Sequence, residues 1–231
     1  GVPAEIIVAI IGVETLYGRN TGKFPTIQAL STLAFDFPPR AAYFRKELEQ
    51  FLLYCRENSL DPLTPRGSYA GAIGTPQFMP GSIRSYATDF DGDGRIDLVN
   101  SPVDAIGSVA RFLAIHGWQK DRDLYYPVTL AENADPASLL ARGPKPDLSI
   151  ADLRAAGIAS PLSLPADQPL MLVDLPNGAN PPSYVIGTGN FYAMAVTELA
   201  EVLHQRHAGT LGAPQLELPN QPTLPQKTPS P

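Results

Sequence analysis

The chain has 231 residues, 44% of them hydrophobic, with a formal net charge of −6 and a single cysteine. That length suits one large domain or one domain with a smaller lobe, and the apolar content is ample for a packed core rather than global disorder. Without a lysine or arginine run there is no footprint for nucleic acid; no apolar stretch reaches bilayer length, and one cysteine excludes an internal disulfide or a cysteine metal cluster.

The chain opens directly in a helical pattern, "GVPAEIIVAI", without a signal-like segment, so upstream sequence is expected to have been removed. A helix is predicted over 3–17, with Pro3 at its start and Gly18 at its end. Helices follow over 26–37 and 40–59, the second placing Phe44, Leu48, Phe51, Leu52 and Cys55 on one face, and another over 103–117 closed by Gly117. Cys55 reads as a small helix residue. From Asp123 the texture changes to short extended runs, "LYYPVTL", "LMLVDL" and "SYVIGT", with one short helix "SIADLRAAG" between them, which predicts a small β-containing lobe. Residues 190–207 return to an amphipathic helix expected to pack back on the first lobe, and the last two dozen residues read as a proline-rich linker or tail. The expected division is therefore 1–122, 123–189, 190–208 and 209–231, in an α+β chain that is mainly α.

Three stretches carry candidate chemistry. In "AIIGVETLYG", Glu14 lies three, four and seven positions after Ile11, Ile10 and Ile7, and so shares their face. An apolar setting keeps a carboxyl protonated, and such a group can donate a proton to a leaving oxygen and later take one back. The alternative is a helix-end carboxylate paired with Arg19 or Lys23.

The second stretch, "GSYAGAIGTPQFMPGSIRSY" (67–86), combines glycines with the hydrogen-bonding groups of Ser68 and Gln77 and the apolar faces of Tyr69, Phe78 and Met79. The mixture suits an amphipathic ligand such as a sugar; the alternative is an ordinary loop whose aromatics plug the core. In the third, "DFDGDGRIDLVNSPVD" (89–104), Asp89, Asp91 and Asp93 take loop positions one, three and five, with Gly94 at six, the Arg95 carbonyl at seven and Asp97 at nine. Asn100 stands at twelve, where a bidentate glutamate belongs, and Asp104 could fill that role in a lengthened loop. Alternate carboxylates converging on a point fit Ca2+ in a structural role; the alternative is an Asp-Gly turn cluster without metal.

Taken together, "IIVAIIGVETLYGR", "GSYAGAIGTPQFMPGS" and "DFDGDGRIDL" followed by "PVDAIGSVARFLAIHGW" resemble the membrane-bound lytic transglycosylase B family, soluble forms included, with a weaker match at "FYAMAVTEL". The resemblance implies a lysozyme-like helical lobe with a groove, a smaller β lobe and an EF-hand-like calcium loop in a bacterial peptidoglycan-cleaving enzyme. It implies that Glu14 is the single catalytic acid and base, that Ser68 and Gln77 hydrogen-bond the sugar at the scissile bond, that Tyr192 lies near the acid, and that Arg40 lines the groove. It further implies Asp89, Asp91, Asp93, Arg95 (through its carbonyl) and Asp104 as calcium ligands, with no organic cofactor.

The chain departs from the family at "VIGTGNF", which lacks an expected Tyr-Asn pair, and at Phe112, where a tyrosine can occur. The implied reaction cleaves the bond between N-acetylmuramic acid and N-acetylglucosamine and leaves 1,6-anhydromuramyl ends. The implied partners are glycan strands, with other cell-wall enzymes as candidates, in the periplasm and with outer-membrane association through a removed N-terminal segment. Two other readings stand beside it. A lysozyme-type hydrolase needs a carboxylate across the groove, for which Asp36 is a remote candidate; a calcium-stabilised wall-binding module would be indifferent to Glu14.

Overall fold

The computed structural model describes residues 1–195. Five helices build the first lobe: α1 (Ala4–Thr15), α2 (Thr26–Asp36), α3 (Ala41–Glu57), α4 (Pro80–Tyr86) and α5 (Pro102–Ile115). A two-stranded antiparallel pair, β1 (Phe24–Pro25) and β2 (Arg66–Gly67), ties the start of α2 to the loop after α3. Proline in the first turn opens α4 and α5, where its missing N–H costs nothing. Ser101 caps α5 by accepting the Asp104 N–H at 3.2 Å.

The core of this lobe gathers Ile7 and Ile11 from α1, Leu30 from α2, Phe44 and Phe51 from α3, Ile83 from α4, and Val109 and Leu113 from α5. Cys55 is fully buried among them, and burial first, then the charge of Asp61, pushes its thiol up, as suits an inert core residue. Leu52, expected on the same face, is exposed: the buried stripe of α3 runs through Phe44, Phe51, Tyr54 and Cys55.

The second lobe contains β3 (Tyr125–Pro127), β4 (Thr129–Leu130), α6 (Pro136–Leu140), α7 (Ile150–Ala155), β5 (Ile158–Ala159), β6 (Met171–Asn177) and β7 (Asn180–Gly187). The strands order β3-β7-β6 in one antiparallel sheet, with β4 and β5 paired separately. In register, Tyr126 and Leu172 both oppose Ile186, and these three enter a second core with Leu139, Leu148, Leu153, Ile158 and Leu170. The extended run at 124–130 therefore splits at Val128 into strands belonging to two different sheets, a choice made by partners and not by propensity. A capping box at Ser149 and Asp152 starts α7.

Residues 189–195 form the returning helix, with Ala193 and Ala195 buried and Met194 packed on the first core. The rest of the helix predicted to 207, and the tail over 209–231, lie outside the described residues.

Candidate active site

Glu14 stands in the last turn of α1 and is half-buried. The fully buried stripe of this helix is Ile7, Ile11 and Thr15, spaced by four, and Glu14 lies at its edge; Ile10, expected in the interior, is half-buried as well. The helix ends two residues earlier than predicted because three successive residues turn left-handed: Leu16 (φ 51°), Tyr17 (φ 60°) and Gly18 (φ 80°). For Leu and Tyr that conformation costs roughly 1–2 kcal/mol each, so the surroundings must hold it.

They do so through named contacts. The N–H groups of Leu16 and Tyr17 donate to the carbonyls of Gly12 and Ile11. Gly18 N–H donates to Thr15 Oγ1 at 2.9 Å, and the Thr15 hydroxyl donates to the Thr75 carbonyl at 2.9 Å. The Tyr17 ring lies across Gly12, where a Cβ would come within 2.8 Å of it.

The chain after α1 is thereby laid against the loop over 67–78. Gly22, at φ 92°, meets Gly67 so closely that a Cβ would lie 2.0 Å from its carbonyl oxygen. Gln77, itself left-handed at φ 51°, donates its side-chain N–H groups to the carbonyls of Gly74 (2.8 Å) and Thr21 (3.1 Å). Both donors are spent on the fold, so what Gln77 offers outward is its Oε1 acceptor. Ser68 Oγ accepts from the N–H groups of Ala70 (3.2 Å) and Ala72 (3.1 Å), which leaves its hydroxyl hydrogen to donate. Glu14, Ser68 and Gln77 are thus carried by two segments bonded to each other.

The other predicted ligand-facing residues divide. Tyr69 is 72% exposed and, with Phe24, Pro25, Gln28, Ala29, Thr32 and Leu33, lines an open pocket of about 230 Å³. Phe78 is buried, its ring 5.3 Å from that of Phe112, as the alternative of a core-plugging aromatic expected. Met79 is half-buried against the same core. Arg40 sets its guanidinium over the rings of Tyr43 (4.8 Å) and Phe44 (5.0 Å). Tyr192 is half-buried on the returning helix.

As for a second carboxylate, Asp36 is exposed at the end of α2. Glu47, which the sequence reading passed over, is half-buried, and burial pushes its carboxyl up against the opposing bond from Gly81 N–H (2.8 Å). It caps the start of α4. Thr15 was also passed over; its signal was its place, four after Ile11, in the apolar stripe.

In the acidic loop, carboxylate oxygens of Asp89, Asp91 and Asp104 lie within 4.8 Å of one another. Asp104 is 1% exposed, and its two oxygens accept the N–H groups of Phe90 (2.8 Å) and Asp97 (2.9 Å), which aim a buried anion at the loop. Ser101 Oγ donates to Asp91 at 3.3 Å. Asp93 stands outside this trio and accepts the Arg95 N–H at 2.8 Å. Asp97 turns to the N–H groups of Val99 and Asn100; burial raises its carboxyl, but the bonds from Asn100 and Val99 outweigh that and hold it below the usual range. All-oxygen donors of this charge match a hard divalent cation.

A family model for the transglycosylase SLT domain matches residues 1–198. The chain is 45% identical over 216 residues, 88% of its length, to membrane-bound lytic murein transglycosylase B of Escherichia coli K12, of which it spans 57%. It is also similar to the crystal structure of soluble lytic transglycosylase SltB1 from Pseudomonas aeruginosa, at a TM-score of 0.78 and 45% identity over 90% of this chain and 69% of that one. The structure of Escherichia coli lytic transglycosylase Slt35 in complex with calcium matches at a TM-score of 0.70 and 41% identity, over 89% of this chain and 67% of that one.

Proposed function

This chain belongs to the transglycosylase SLT domain family, and from that premise we propose that it cleaves the glycan strands of peptidoglycan by lytic transglycosylation with Glu14 as its one acid and base. The observation that carries the reading is the setting of Glu14: half-buried beside an apolar stripe, on a helix end fastened to the loop that presents a Ser68 donor and a Gln77 acceptor. In the reaction, Glu14 protonates the oxygen between N-acetylmuramic acid and N-acetylglucosamine. The C1–O bond breaks, and the substrate's own N-acetyl oxygen stabilises the cationic muramyl carbon in place of a second carboxylate. Glu14, now ionised, takes the proton of the muramyl C6 hydroxyl as its oxygen bonds to C1, which closes a 1,6-anhydro ring. No water is consumed. Ser68, Gln77, Tyr69, Arg40 and Tyr192 hold and orient the sugars, a contribution made through positioning.

Asp89, Asp91 and Asp104 would hold Ca2+, with Asp93 and the Arg95 carbonyl as further ligands in an EF-hand-like loop. The ion would supply cohesion to the loop ahead of α5, not chemistry. The reading is supported by the likeness to a calcium-bound relative and by the buried Asp104 carboxylate. The likeness to a membrane-bound relative supports a periplasmic site of action at the outer membrane; no helix among the described residues is long and apolar enough to cross a membrane.

The test is mass spectrometry of muropeptides released from purified peptidoglycan, with Glu14→Gln alongside. Products lighter by one water than hydrolytic ones, and lost in a folded Glu14→Gln protein, bear the proposal out. Hydrated reducing ends would make the enzyme a lysozyme-type muramidase. Sugar binding without product from either protein would leave a binding module.

A further inference from the structure

The two chain crossings between the lobes, at 118–124 and 188–192, meet at one buried amide. Asn190 is 2% exposed. Its Nδ2 donates to the carbonyls of Gln119 (2.8 Å) and Arg122 (2.9 Å), and its Oδ1 accepts the Gln119 N–H at 2.7 Å. Thr188, fully buried beside it, donates its hydroxyl to the Asp123 carbonyl at 2.7 Å and accepts the Asn190 N–H at 3.1 Å. The β3–β7 ladder, which ends at Tyr125 opposite Gly187, is thereby continued by side chains up to the first turn of the returning helix, where Tyr192 N–H donates to the Thr188 carbonyl at 3.0 Å. Within that turn Phe191 packs on Gly187 of the small lobe, and past it Met194 packs on the core of the helical lobe.

A surface-exposed connection would need none of this. A buried amide whose two donors and acceptor are all spent on the backbone of one other segment permits a single arrangement, because any slip strands polar groups away from water. We propose that Asn190 is a positioning residue for Tyr192: it locks both crossings together and so sets where the returning helix presents that tyrosine to the glycan. The role rests on the glycan-cleaving reading above.

Asn190→Asp keeps the shape but sets an oxygen against the Gln119 and Arg122 carbonyls. Trp118, the only tryptophan of the chain, adjoins Gln119 and reports on the junction without any activity being needed. In the full chain, below the melting temperature of the variant, we expect stronger acrylamide quenching of Trp118. We expect kcat on purified peptidoglycan to fall by about tenfold to a hundredfold, the scale of an ångström's misplacement, with KM changing far less. The cost of Tyr192→Phe should largely vanish in the Asn190→Asp background. Should Asn190→Asp not fold, Thr188→Val loosens the same junction without adding charge.

Unchanged quenching overturns the clamp. Altered quenching with wild-type kcat, or costs of Asn190→Asp and Tyr192→Phe that multiply independently, overturns positioning and leaves Asn190 a structural residue. Failure of the wild-type chain to release any product overturns the glycan-cleaving reading and the role of Tyr192 with it, while the quenching result still decides whether Asn190 holds the junction.

Discussion

The hydroxyl of Thr15 donates to the main-chain carbonyl of Thr75 at 2.9 Å, and so fastens the end of α1 to the loop of Ser68 and Gln77. The same oxygen accepts the Gly18 N–H, which holds the left-handed exit after Glu14. One small side chain, 1% exposed, thus serves both halves of the candidate site.

Thr15→Val retains the shape and removes both bonds. It leaves the Thr75 carbonyl and the Gly18 N–H without these partners, at a cost of about 1–3 kcal/mol. Thermal or urea unfolding should show that loss, and kcat should fall at temperatures where the variant is fully folded. A variant as stable and active as wild type would remove Thr15 from the account.

Gln77→Glu tests the loop from its other side. The substitution is isosteric but replaces the donors to Thr21 and Gly74 with oxygen facing two carbonyls. A loss of about 1–3 kcal/mol is expected near neutral pH. The loss should shrink on acidification, because the introduced carboxyl regains one donor once it is protonated. A cost independent of pH would contradict this use of the amide.

Calcium should raise the melting temperature of the wild-type chain, with chelator reversing the effect. A ligand at a hundredfold over its Kd adds about 2.7 kcal/mol. Asp91→Asn removes one exposed member of the trio without touching the buried Asp104 bonds, so its metal-free stability should be near wild type while the calcium response is largely lost. Asp93→Asn should lose less, since Asp93 stands outside the converging trio. Equal responses in all three proteins would dismiss the site.

Tyr126 probes the second lobe. Its ring is 7% exposed and its hydroxyl donates to Asp123 at 2.7 Å. Burial first, then the bond to Asp123, pushes its hydroxyl up to about 12 from an ordinary 10.0. A raised value means that the fold favours the protonated form, so the stabilisation is whole below about pH 10 and is lost as pH rises through about 12. Tyr126→Phe should therefore be less stable than wild type at neutral pH, by about 1 kcal/mol, with the gap closing on the alkaline side. Tyrosinate absorbance should lose a component titrating near pH 12 in the variant; an unchanged titration would place the raised value elsewhere.

How far the sequence could be read depended on the range of each interaction. The apolar spacing that ends at Glu14 was legible because helical periodicity is a property of neighbouring residues, and Pro3 opens its helix through its own fixed φ; the seven-residue α4 was not legible, because it lies within a glycine-rich stretch that reads as a loop. The alternating aspartates were legible for the same local reason, and they told which residue types collect near one point. Their neighbours could not tell which carboxylates converge. Asp93 and Asp97 close turns of their own, and Asp104 reaches the cluster only because α5 starts where Ser101 caps it.

What the sequence by itself determined is therefore the longer helices, the acid at the end of an apolar run and the acidic loop, all written within a few residues of each other, whereas the short helices α4 and α6 were not legible in it. What only the tertiary structure decided is direction and partnership. Phe78 is buried with its ring against that of Phe112; Thr15 holds Thr75 from sixty residues away; Asn190 holds Gln119 from seventy-one. Such bonds gain their worth from burial, and burial is a property of the packed chain that no short stretch of sequence carries.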